Sequence, residues 1–207
     1  MKLRQLFILI ILVSCSTTFA QTKKANFKAD STKVLAPFKQ KDTIYWVENF
    51  REFRDAIFQR NKTKAKVFFN FPINDVTQSI KQLVYNEDPE TLQKLGNSIY
   101  IFTETDFSKY FDKIFPKNFV KSLLKVKTDE LYKKGTYEIK FKEGFTTYTL
   151  HVIFDKITNT LELQFNSDTK HKDEKGELLD DSEFSIIYYF EITKQGHIKF
   201  KEIRIAG

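Results

Sequence analysis

Apolar residues change period once along this chain, from steps of three and four before Gly135 to steps of two after it. Trp46, Phe50, Phe53 and Ile57 recur at helical spacing with Glu48, Arg51, Glu52 and Asp55 on the other faces, which predicts an amphipathic helix. Asn61 offers a cap for a shorter helix through Val67 and Phe68, which Phe71-Pro72-Ile73 brings to an end. Asp88-Pro89 starts another helix that Gly96 closes after Leu92 and Leu95, and Ser98 to Phe102 reads as a short strand. Phe107, Tyr110, Phe111 and Ile114 share one helical face behind Thr103 or Thr105 as cap, Pro116 breaks that helix, and Phe119, Val120, Leu123 and Leu124 form the next.

Beyond Gly135 the alternation is that of half-buried strands. Tyr137, Ile139 and Phe141 take one face, and Tyr148, Leu150, Val152 and Phe154 share it. A two-residue turn at Glu143-Gly144 pairs Ile139 with Tyr148 and Tyr137 with Leu150. A turn at Ile157-Thr158 pairs Phe154 with Leu161 and Val152 with Leu163. The stretch Asn166 to Glu183 is polar and charged and predicts a long mobile loop. Phe184, Ile186, Tyr188, Phe190 and Ile192 then point inward, and a three-residue turn with Gly196 left-handed pairs Ile192 with Ile198 and Phe190 with Phe200. The apolar parity flips between Phe200 and Ile203, which predicts a β-bulge at Lys201-Glu202.

The fold class that follows is α+β, with N-terminal helices packed across a curved antiparallel meander of four to five strands. The segments WVENFREFRDAIFQRNKTKAKVFFNFPI and FTETDFSKYFDKIFPKNF, followed by the C-terminal strands, carry a resemblance over residues 44–207. In that order the chain resembles the nuclear transport factor two-like, or cystatin-like, superfamily and its exported bacterial families of unknown function. The resemblance implies a cone-shaped domain with a pocket between helices and sheet. Its members include isomerases and dehydratases, scaffolds, and lipid or peptide binders, so the fold chooses no reaction.

The first residues add a destination. Lys2 and Arg4 precede an apolar run from Leu6 to Val13, the order of a secretion signal and too short to span a bilayer. Thr18-Phe19-Ala20 suits cleavage before Gln21, giving a signal at 1–20, a leader at 21–43 and one α+β domain at 44–207. Leu12-Val13-Ser14-Cys15 resembles a lipobox, which would make Cys15 the acylated first residue and the protein an outer-membrane or periplasmic lipoprotein. Membrane association is expected only through that acyl chain. On either route no second cysteine remains for a disulfide.

After Lys2 and Arg4 leave, 32 basic residues face 27 acidic ones, a balance of +5 that is interspersed rather than striped, so nucleic acid is not an expected partner. His151, His171 and His197 lack metal-ligand spacing, and Asp173, Glu174, Glu177, Asp180 and Asp181 lack the order of a calcium loop, so neither a metal nor another cofactor is expected. What remains is aromatic. Trp46, Tyr137, Tyr148 and Tyr188 face inward and are expected to line a pocket for a small hydrophobic ligand, with plain core packing as the alternative. On the opposite sheet face Ile153, Ile187 and Tyr189 are expected to form a surface for an envelope protein or a second copy. No catalytic signature stands out, so the expected function is a non-catalytic binding module of the cell envelope. Two alternatives stay open: a small hydrolyase- or isomerase-like enzyme using a tyrosine with Asp106, and an assembly protein whose pocket is filled by its own side chains.

Overall fold

The computed structural model describes residues 40–172 and 178–206, with side chains from Tyr45 to Lys170 and from Glu183 to Ala206. The signal at 1–20, Cys15, the loop acids Asp173, Glu174 and Glu177, and the side chains of His171, Asp180 and Asp181 lie outside them. The chain is α+β, a curved five-stranded antiparallel sheet with helices packed against one face.

Helix α1 spans Gln40–Phe58, beginning within the segment read as leader. It is followed by α2 (Lys62–Ala65) and a 3-10 turn at Lys66–Phe68, with the Asn61 side chain accepting the Lys64 N–H at 3.0 Å as expected of a cap. Strand β1 (Ile73–Asp75) pairs with β2 (Tyr100–Phe102) in a small separate sheet. Between them lie α3 (Ser79–Tyr85) and α4 (Pro89–Leu95), the latter with Pro89 inside its first turn and Gly96 after its end. Helix α5 (Glu104–Ile114) opens with a capping box between Thr103 and Asp106. Helices α6 (Lys117–Leu123) and α7 (Thr128–Lys134) lead to the sheet. Strands β3 (Thr136–Glu143), β4 (Thr146–Asp155), β5 (Thr160–Lys172), β6 (Leu178–Ile192) and β7 (Ile198–Ala206) follow in spatial order.

The predicted faces are observed and the central inner rows are apolar, while the row toward the β3–β4 turn includes Ser167 and leaves Phe184, expected inward, exposed. One row runs Tyr137, Val152, Leu163, Tyr188 and Ile203 across all five strands. The bulge falls where parity required it, because Tyr188 pairs with Ile203 and Phe190 with Phe200, leaving Lys201 as the extra residue. The first hairpin differs by two residues. Its turn is Gly144-Phe145, so Ile139 pairs with Leu150 and Tyr137 with Val152. Gly144 at φ +61° occupies the first central position, where a type II′ turn needs a positive φ; a turn at Glu143-Gly144 would have asked it of Glu143 as well. A slide of two preserves the face of every side chain.

Within the stretch expected as a loop, Asn166 to Glu183, the described residues are ladder. Strands β5 and β6 pair from Asn166 with Ser185 out to Lys172 with Leu178, with a register shift after Thr169. Backbone groups make a ladder whatever the side chains are, so a polar stretch can pair as fully as an apolar one. Two further helices carried too little apolar signal to be read. In α3 only Ile80, Leu83 and Val84 are buried apolars, and in α7 only Leu131 is.

Helix α1 lies across the sheet: Trp46 sits 4.4 Å from the Phe154 ring and Phe53 4.9 Å from that of Phe190, while the Asn49 side chain accepts the Ile198 N–H at 2.8 Å. Helix α6 covers the next part, with Phe119 stacked 4.5 Å from Tyr188. Among the described residues no helix is long and apolar enough to cross a membrane.

Candidate functional site

Of the four residues expected to line an interior pocket, two are sealed in the core. Trp46 is packed on Phe154, and Tyr188 is stacked against Phe119 and Phe115. The Tyr188 hydroxyl donates to the Ile114 carbonyl at 2.7 Å, at the end of α5 where helical carbonyls lose their partners. Burial pushes its ionisation far above the ordinary phenol range. Tyr148 lies two rows away, half-buried between the rings of Phe141 at 5.3 Å and Phe165 at 5.8 Å. Tyr137 is at the β3 edge. The four therefore belong to three different environments.

Tyr137 leads to a groove of about 580 Å³ where α7 runs into the β3 edge and the outer sheet face begins. Its volume is that of a small-molecule site. Gly135, left-handed at φ +77°, ends α7, and its carbonyl accepts the Phe154 N–H at 2.7 Å, which fixes the helix against β4. Period-two alternation then sets Glu138 and His151 side by side on the outer face, His151 Nδ1 lying 3.2 Å from the Glu138 carboxylate. Gln164 continues the same row on β5, and Ile153 adds an apolar wall one row away. From α7 come Lys134 and Glu130; hydrogen bonds from Lys127 and then Lys134 hold the Glu130 carboxyl below its usual range. The groove thus offers donors, acceptors, one imidazole and an apolar wall within a single mouth. His151 lies on the outward face as read from the sequence, and the structure gives it a carboxylate neighbour. His197 is exposed at the β6–β7 turn.

Ile153, Ile187 and Tyr189 all lie on the outer face. They are interleaved with polar groups, since Glu162 separates Ile153 from Tyr189 within one row and Ile187 is flanked by Gln164 and Arg204. The Arg204 guanidinium sits over the Tyr189 ring at 4.9 Å.

Asp106 lines none of the described concavities. Its carboxylate accepts from the Thr103 N–H at 3.0 Å and the Thr103 hydroxyl at 2.7 Å, so it serves the start of α5, and the acid–base role built on it is corrected.

Three phenols not singled out in the sequence converge elsewhere. Tyr85 from α3, Tyr100 from β2 and Tyr110 from α5 pack edge to face, and the Tyr110 and Tyr85 hydroxyls are 3.2 Å apart. The Lys109 ammonium lowers the Tyr110 phenol, followed by the Tyr85 hydrogen bond, whereas burial raises Tyr100, whose hydroxyl is enclosed without a hydrogen-bond partner. Tyr110 also leaves helical geometry, at φ −102° and ψ 16°. Nearby Lys81 is buried, its ammonium donating to the Gln78 side chain at 2.7 Å and to the Gly96 carbonyl, which ties α3 to the end of α4. Tyr110 was visible as one residue of an apolar helical stripe. Nothing local in the sequence joins it to Tyr85 and Tyr100.

Among the described residues no three His, Cys, Asp or Glu side chains gather as metal ligands. Compared with protein families, with curated proteins and with solved structures, the chain finds no match in any of the three.

Proposed function

We propose that the chain is a non-catalytic binding module of the bacterial cell envelope, which holds a small, partly apolar ligand in the groove between α7 and the outer face of β3 and β4. The observation that carries this reading is the groove itself: about 580 Å³, with the His151–Glu138 pair, Gln164 and Ile153 presented in one mouth. Few precisely oriented polar groups beside an apolar wall are what a small-molecule site needs. The interior aromatics support the same location, because Trp46 and Tyr188 are already engaged by Phe154, Phe115, Phe119 and the Ile114 carbonyl.

Export before function is part of the proposal and rests on the order of Lys2, Arg4 and the apolar run from Leu6 to Val13. Kinship with the nuclear transport factor two-like superfamily is likewise proposed, on the sequence of helices followed by a meander. Native mass spectrometry of the protein purified from envelopes tests the function directly. A retained mass that is lost in a His151→Ala, Ile153→Asp double variant supports it. Absence of any retained mass, or a mass indifferent to both substitutions, refutes it; the same spectrum reads acylation at Cys15 against cleavage before Gln21.

A further inference from the structure

A second concavity, on another part of the surface, has a different chemistry. Where the end of α1 meets α6, Phe58, Val120 and Leu124 form an apolar floor, and Arg60, Lys117 and Lys121 stand around it. Phe58 is 56% exposed and Leu124 36%, so the floor is open to water rather than core. The sequence builds it simply: Lys117, Val120, Lys121 and Leu124 recur at steps of three, one and three, which makes them one face of α6, while Phe119 and Leu123 take the buried face. The basic surface continues beyond the groove. Lys121 and Lys125 both lie over the Phe141 ring, at 4.8 and 4.7 Å, and the adjoining β3–β4 turn carries Phe145, 60% exposed. Two carboxylates temper the charge, Asp112 at 3.0 Å from Arg60 and Glu143 at 3.7 Å from Lys121. Four cations against two carboxylates leave an excess of two positive charges around exposed aromatic and aliphatic groups.

We propose that this face seats the protein on the surface of an anionic lipid bilayer. The groove, about 350 Å³ and open, is at the small end for enclosing a ligand. Its composition matches an interfacial contact: apolar side chains enter the headgroup boundary while lysines and arginine meet lipid phosphates, and the aliphatic stems of the lysines lie along apolar surface. Attraction of this kind is weak for each residue and additive over a patch, and it acts with or without an acyl chain on Cys15. The proposal does not depend on the groove at β3 and β4 being a ligand site.

Vesicle co-sedimentation tests it, with phosphatidylcholine vesicles made with and without phosphatidylglycerol. The protein is the secreted form carrying Cys15→Ser, its processing verified by intact mass, so that no acyl chain contributes. The expected result is preferential sedimentation with the phosphatidylglycerol vesicles, falling as salt is raised. Lys117→Glu should lower the partition coefficient about tenfold, since it removes one attraction and adds one repulsion. Phe58→Ser should lower it at unchanged net charge. Lys156→Glu, in the β4–β5 turn at the other end of the sheet, is the charge-matched control and should have a smaller effect. Phe58, Lys117 and Lys156 are exposed, and unchanged far-UV circular dichroism and melting verify each variant's fold. Equal sedimentation with both vesicle types overturns the proposal. So does a Lys156→Glu effect as large as that of Lys117→Glu, and so does binding to soluble polyglutamate without binding to vesicles, which would assign the face to an acidic protein.

Discussion

Replacing Tyr188 by Phe removes one oxygen from the centre of the core and leaves the ring where it is. That oxygen donates to the Ile114 carbonyl at 2.7 Å, and the residue is fully buried. The substitution takes away a hydrogen bond and leaves a buried helix-end carbonyl without it, while also removing the hydroxyl's own desolvation. A net loss of about 1–2 kcal/mol follows, lowering the Tm by roughly 2–8 °C for a chain of this size. Tyr188→Ala additionally removes the ring stacked 4.5 Å from Phe119 and 6.0 Å from Phe115, and should cost about 3–5 kcal/mol.

The same phenol couples stability to pH. Its ionisation is raised in the folded state, so the folded protein keeps a proton that the unfolded chain releases above about 10. The stability it contributes is complete below that pH and is lost as pH rises further, so the wild type should lose stability more steeply in alkali than Tyr188→Phe. Urea unfolding followed by circular dichroism, at neutral pH and across the alkaline range, measures both effects. Equal neutral stability of wild type and Tyr188→Phe, together with parallel alkaline slopes, would refute the reasoning.

Deleting Lys201 removes the extra residue of the bulge and leaves Phe200, Glu202 and Ile203 in plain alternation against Phe190, Tyr189 and Tyr188, so Ile203 should stay buried and the register should hold; thermal melts should show a change smaller than the roughly 2 kcal/mol of exposing one large aliphatic side chain, and a larger loss would refute the assignment of Lys201 as the extra residue. Lys109→Met should raise the ionisation of Tyr110, because the ammonium is the main cause of its lowering; a phenol resonance titrating below the others in the wild type and rejoining them in the variant is the expected NMR result. Thr103→Ala removes the hydroxyl that accepts the Asp106 N–H at 3.2 Å and should cost about 1 kcal/mol, read by chemical denaturation.

Local chemistry determined the elements and their faces. The α1 stripe of Trp46, Phe50, Phe53 and Ile57, the cap at Thr103 or Thr105, the left-handed Gly196 and a bulge at Lys201-Glu202 were all legible because each depends on neighbours within a few residues. Where such information was thin, the reading missed. Helix α3 shows three buried apolars in seven residues, and the Asp75 carboxylate that accepts the Lys81 N–H at 2.8 Å near its start lies before the helix begins. The extended β5–β6 hairpin is made by backbone pairing, which side-chain hydropathy does not record.

The candidate sites belong to tertiary structure. Glu130 and Lys134 meet His151 and Gln164 because Gly135 folds α7 back onto the β3 edge, and Phe58 meets Lys117 and Leu124 because α1 and α6 end side by side. Alternation tells a side chain which face to take, since that is fixed within two residues. Which other faces it meets depends on how distant elements pack to exclude water from a shared core, and only the assembled chain has that information.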